Sequence, residues 1–153
     1  MLTLNLGVID QPYSNAKYMD GVKPSAATTA QVAVWLENKY HIMEHFWMIY
    51  GAPDNAPIQK AMLDSLSKTI RTLMVSRQAP RNINPFGTAM GQVEFLFKQM
   101  LDKKELDHLA YPGIPTLQSL KGYSNRFKRR RGPPRPSFID TGLYSASFKA
   151  WLE

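Results

Sequence analysis

The chain begins with strict alternation. Leu2, Leu4, Leu6 and Val8 are apolar, with Thr3, Asn5 and Gly7 between them. A period of two predicts a short strand with one buried face. The pattern then changes to helical spacing. Val32, Trp35, Leu36, Ile42, Met43, Phe46, Ile49 and Tyr50 fall on one broad face. This predicts a single long helix packed centrally, capped by Thr28 or Thr29 and stopped by Gly51 and Pro53. A second helix is predicted from about Asn55, with Pro57 in its first turn and Ile58, Ala61, Met62, Leu66, Ile70 and Leu73 as its stripe. A third runs from about Thr88 to Leu101 through Met90, Val93, Leu96, Phe97 and Met100, and 103–110 can add a turn or two.

Between these elements lie long segments rich in breakers. Residues 11–27, 76–87 and 121–136 read as loops or extended arms, the last ending in Gly132-Pro133-Pro134-Arg135-Pro136. Tyr111-Pro112-Gly113-Ile114-Pro115 is a further break, after which Thr116 can cap a short helix through Leu120. The expected fold is therefore α+β: a mainly helical core of about three helices, a small β-sheet from Leu2–Ile9 with Ser147–Leu152, and long extended arms. At 153 residues this is one domain, 1–153, with 11–27 and 121–136 as arms.

Charge sharpens this picture at one place. The net charge is +7, yet Lys121, Arg126, Lys128, Arg129, Arg130, Arg131 and Arg135 all fall in one segment that holds no acid. The rest of the chain balances, so a generally basic nucleic-acid coat is not expected. The basic run can neutralise nucleic-acid phosphates, with Tyr123 and Phe127 available for stacking. It can equally dock on an acidic protein surface through arginine–carboxylate pairs, or stay a solvated loop. Nothing resembles a helix-turn-helix or a zinc finger.

There are no cysteines, which removes disulfides, thiolate metal sites and cysteine nucleophiles. The first ten residues lack the basic start and apolar run of a signal peptide, and no stretch has the roughly 18 apolar residues that span a bilayer, so a soluble protein without membrane contact is expected. His41-Ile42-Met43-Glu44-His45 matches the H-x-x-E-H pattern, in which two histidines four apart on a helix share a zinc ion with the glutamate as base. The same residues lie opposite the apolar face with Glu37 and Asn38, where an amphipathic helix keeps its solvated side, and no third ligand stands out. Asp102, Glu105 and Asp107 are interleaved with Lys103 and Lys104, as on a solvated helix end. No nucleophile elbow, P-loop or dinucleotide fingerprint is present. The expectation is a non-enzymatic protein without catalytic residues, metal or cofactor.

The most distinctive string is Pro136-Ser137-Phe138-Ile139-Asp140-Thr141-Gly142-Leu143-Tyr144-Ser145-Ala146-Ser147-Phe148. It resembles the P-x-x-D-T-G-x-L-x-x-S-[IF] signature of tailed-bacteriophage minor tail, tail-completion and virion-morphogenesis proteins, with Asp140, Thr141, Gly142, Leu143 or Tyr144, and Ser147-Phe148 at the matching positions. Leu143 follows Gly142 directly, a small departure in spacing. The family's strands usually continue well past the serine, whereas six residues follow Ser147 here. An N-terminal strand completing the sheet, or a different fold, is then implied. The resemblance implies a structural protein of the virion neck, a head–tail connector or tail terminator. It would assemble in the host cytoplasm as a homo-oligomeric ring and contact portal, adaptor or tail-tube proteins, with non-specific contact to packaged DNA. Arg126, Lys128, Arg129, Arg130, Arg131 and Arg135 would be its partner- or DNA-contacting residues. A nucleic-acid-binding accessory protein using 126–135 is the alternative. Read without the resemblance, Asp140 or Thr141 caps a turn, Gly142 permits it, and Leu143, Tyr144 and Phe148 anchor the chain to the core.

Overall fold

A computed structural model describes residues 3–13, 27–52, 54, 56–76, 84–109, 111–124, 129–130, 133–139 and 142–153. In chain order these form β1 (Leu4–Val8), α1 (Thr29–Tyr40), α2 (Ile42–Tyr50), α3 (Pro57–Val75), α4 (Gly87–Asp102), a 3-10 turn (Leu106–His108), α5 (Leu117–Lys121), β2 (Tyr123–Ser124), β3 (Arg129–Arg130), α6 (Leu143–Ser147) and β4 (Phe148–Leu152). The expectation of about three helices with long extended arms is overturned. Six helices occur among the described residues, and the main sheet is two antiparallel strands that do not close.

The largest difference lies at His41. The predicted single helix breaks there, because His41 takes a left-handed conformation with φ 49° and ends one helix while starting the next. A non-glycine residue in that region is uncommon and needs local support. Glu37 provides it: its carboxylate accepts the backbone N–H groups of Met43 (2.8 Å) and Glu44 (3.4 Å), which open α2 without a cap from His41 itself. The break separates the two halves of the apolar face. Ile42, Phe46 and Tyr50 go into the core, whereas Thr29 is the one fully buried residue of α1 and Trp35 is 59% exposed.

The core sits where α2, α4 and β4 meet. Phe148 stacks on Phe97 with ring centroids 3.9 Å apart, and Phe46 meets both rings edge-on. Phe46, Phe97 and Phe148 are all fully buried. Each such ring contributes about 3 kcal/mol by burial, with about 1 kcal/mol more per aromatic pair. Met90, Val93, Met100 and Leu101 continue the same face of α4. The sheet registers Leu4 with Leu152, Leu6 with Ala150 and Val8 with Phe148, and these residues pack against or within the core. On the other face Trp151 lies across Gly7, where an added Cβ would stand 3.0 Å from the indole. From β4, Lys149 reaches Glu94 of α4 at 2.9 Å.

The described ends of the segments expected to be extended arms are tied into the fold. Residues 14–26 lie outside the described residues, but the two ends of that segment meet: Pro12 bridges Thr28, and the Tyr13 N–H donates to the Ala27 carbonyl. Buried Thr29 fastens this junction, donating its hydroxyl to the Ile9 carbonyl (2.6 Å) and accepting from the Gln11 N–H (2.8 Å). Within 76–87, residues 77–83 lie outside the described residues, and the Pro85 carbonyl accepts from Ser65 (2.8 Å). Within 121–136, residues 123–124 and 129–130 pair as a two-stranded ribbon, with Tyr123 opposite Arg130 and Ser124 opposite Arg129, and 125–128 and 131–132 lie outside the described residues.

Candidate functional site

An apolar cleft of about 650 Å³ lies between α1, α5 and residues 135–139 with 142–144. Trp35, Leu36 and Tyr40 line it from α1, Leu117 from α5, and Phe138 and Ile139 from the opposite wall. Lys39 and Arg135 also line it. Tyr13 and Ala27, the two ends of the first long loop, stand beside them.

Local hydrogen bonding explains how the far wall is held. Thr116 caps α5 by accepting the Ser119 N–H (3.2 Å), and Gly122, with φ 58°, ends the helix in a left-handed turn. The buried hydroxyls of Ser119 and Ser137 lie 3.1 Å apart, the Thr116 N–H donates to Ser137 Oγ, and the Arg135 N–H donates to the Ser119 carbonyl. Arg135 Nη1 then donates to the Ile139 carbonyl at 2.8 Å. These bonds clamp 135–139 against α5. They also hold Phe138 at φ 67°, a costly region for a bulky side chain, with its ring against Tyr40 at 5.0 Å.

The signature turn follows directly. Gly142, at φ 76° and with open space where a Cβ would be, starts α6. Its carbonyl accepts from the Ala146 N–H and the Ser145 hydroxyl. Leu143 is half-buried, Tyr144 packs on Phe97, and Ser147 is buried with its carbonyl accepting from the Ile9 N–H at 2.8 Å. Burial raises the Tyr144 hydroxyl pKa well above the usual tyrosine value, with Glu37 and then Tyr13 adding to the shift. Asp140 and Thr141 lie outside the described residues.

The cleft brings together one basic residue and one signature residue of those expected from the sequence, Arg135 and Gly142. Arg135 serves the wall of the cleft through Ile139. Arg129 and Arg130 are placed on the backbone of the ribbon, whereas Arg126, Lys128 and Arg131 lie outside the described residues. Sequence reasoning missed Trp35, Lys39, Tyr40 and Phe138. Trp35 and Leu36 read as core positions only because the helix was taken as unbroken. The H-x-x-E-H residues do not share one helix, since His41 is the break. His41 Nδ1 lies 3.3 Å from Glu44, and His45 packs edge-on against Tyr111. Among the described residues no cluster of three His, Cys, Asp or Glu could hold a metal ion, and no helix is long and apolar enough to cross a membrane. Compared with known proteins, the chain matches no family model, no curated protein and no solved structure.

Proposed function

We propose that this chain is a structural protein of a tailed-phage particle that joins head and tail at the neck as one subunit of a ring. One observation carries the reading. The described part of the string that resembles the virion-protein signature leads from Gly142 through α6 directly into β4, and Gly142 lines the apolar cleft. A turn that both closes the fold and shapes a receptive surface suits a subunit whose work is contact rather than chemistry. The half-covered apolar positions of α1 and α3 support the same reading, because exposed apolar surface on a folded chain marks protein contact.

The test is genetic. Disrupting this reading frame in the genome that encodes it is expected to leave filled heads and finished tails unjoined in electron micrographs of the lysate. Intact, infectious particles would overturn the proposal.

The β2–β3 ribbon favours a second reading, an accessory protein that holds nucleic acid through 126–135, because a two-stranded ribbon is narrow enough to enter a major groove. Its mark is duplex binding that weakens steeply between low and moderate salt. Binding that is absent at low salt removes it.

A further inference from the structure

α3 has a buried face and an exposed apolar stripe. Ile58, Ala61 and Ser65 face the core and α4. Leu63, Leu66, Ile70 and Leu73 recur at steps of three and four residues on a different side of the helix, and Met74 flanks them. Leu63 is 64%, Ile70 47% and Met74 82% exposed. From Ile70 to Ser76 every residue is exposed, so the last turns of the helix overhang the fold. These side chains leave on the order of 400 Å² of apolar surface on one helix, as much as the largest patch of a typical monomer. No basic residue lies in the last turn to balance the negative end of the helix dipole.

The cleft has the complementary character. Its walls are apolar, Trp35 and Leu117 stand at its mouth largely exposed, and Lys39 supplies a cation beside them. None of its lining residues belongs to α3, so donor and acceptor are different surfaces of the molecule.

We infer that the overhanging end of α3 in one copy of this chain docks in the α1–α5 cleft of the next copy. Ile70, Leu73 and Met74 fill the apolar walls, and the carbonyl end of the helix meets Lys39. Because the two surfaces differ, the contact is head-to-tail and propagates from copy to copy instead of stopping at a two-fold dimer, as a ring requires. Doubled across the contact, the apolar area is on the order of 800 Å², near the roughly 1,000 Å² that a specific interface needs. The inference deepens the ring-forming part of the reading above and rests on it.

The test uses two variants of the full chain. Met74→Glu changes a residue that is 82% exposed, and glutamate is a good helix former. Leu117→Asp changes a residue that is 71% exposed at the first position of α5, where an acid suits the helix N-terminus. Circular dichroism should match the parent for both. Light scattering is expected to show a multimeric parent and, for each variant alone, self-association weakened at least tenfold. An equimolar mixture should give a dimer and nothing larger, because each variant keeps the half that the other has lost. A parent that is monomeric at its highest soluble concentration overturns the inference. So does a Leu117→Asp variant that self-associates like the parent, as pairing of α3 with α3 or assembly through another surface would allow. A mixture that stays monomeric overturns it too. A monomeric parent whose loss still leaves heads and tails unjoined removes this contact and leaves the neck reading standing. A ring-forming chain whose loss leaves particles intact removes the neck reading alone.

Discussion

The carboxylate of Glu37, near the end of α1, accepts the backbone N–H of Met43 at 2.8 Å and so caps the neighbouring helix α2. Capping is usually done by the residue just before a helix, and His41 makes no such side-chain bond. Glu37→Ala is expected to cost about 1 kcal/mol and to lower the melting temperature by about 3 °C, with the aspartate variant too short to recover it. An unchanged melting curve would mean that the break at His41 stands without this cap.

Phe148 is expected to be the most sensitive single residue. It is fully buried, stacks on Phe97 and fixes the start of β4. Phe148→Ala should lose about 3–5 kcal/mol through the cavity left behind, measured as the fall in the urea midpoint at constant slope. Phe148→Leu should lose less than half as much. Equal losses for the two would point to backbone placement, not ring packing, as the source of stability here.

Gly142 offers a separate test of the signature turn. An added Cβ would meet nothing within 4 Å, so the cost of Gly142→Ala comes from φ +76° alone. That cost is about 1–2 kcal/mol, and Gly142→Asn should show a fraction of it. If alanine is neutral in chemical denaturation, the turn has another accessible conformation.

Thr29 joins the end of β1 to the start of α1 with a hydroxyl that both donates and accepts while fully buried. Thr29→Val keeps the shape and leaves the Ile9 carbonyl and the Gln11 N–H without that partner. The expected loss is about 1–3 kcal/mol, read from urea unfolding. A neutral valine would mean that water reaches both groups.

Tyr50 and Tyr144 set an alkaline limit. Burial raises both hydroxyl pKa values above the ordinary 10.0, and the hydrogen bond from Tyr50 to Glu105 adds to the shift for Tyr50. The folded state therefore keeps two protons that the unfolded chain loses above that value. The stability they contribute is complete below pH 10 and falls as the pH rises beyond it. Urea midpoints measured between about pH 9 and pH 11 should decline, and Tyr144→Phe should flatten the decline. A parent and variant with the same slope would show that other groups govern it.

By itself the sequence determined those elements whose pattern is local. The alternation of Leu4, Leu6 and Val8 marks a strand, the stripe through Met90, Val93, Phe97 and Met100 marks α4, and Thr116 caps a short helix. In each case spacing, cap and breaker agree within one segment. Only the tertiary structure decided the rest. The apolar positions from Val32 to Tyr50 fit one helix perfectly well. The break at His41 depends on a carboxylate reaching from the preceding turn and on the aromatic core that receives Phe46 and Tyr50 but not Trp35. The basic segment likewise looks uniform as a string. Its last member, Arg135, is turned inward by the Ile139 carbonyl, a partner that no periodicity reveals. The cleft follows from these two events, because it forms between a helix that has turned away from the core and a loop clamped beside it. Its lining is drawn from positions 13 to 144, and contacts over such separations leave no period in the sequence.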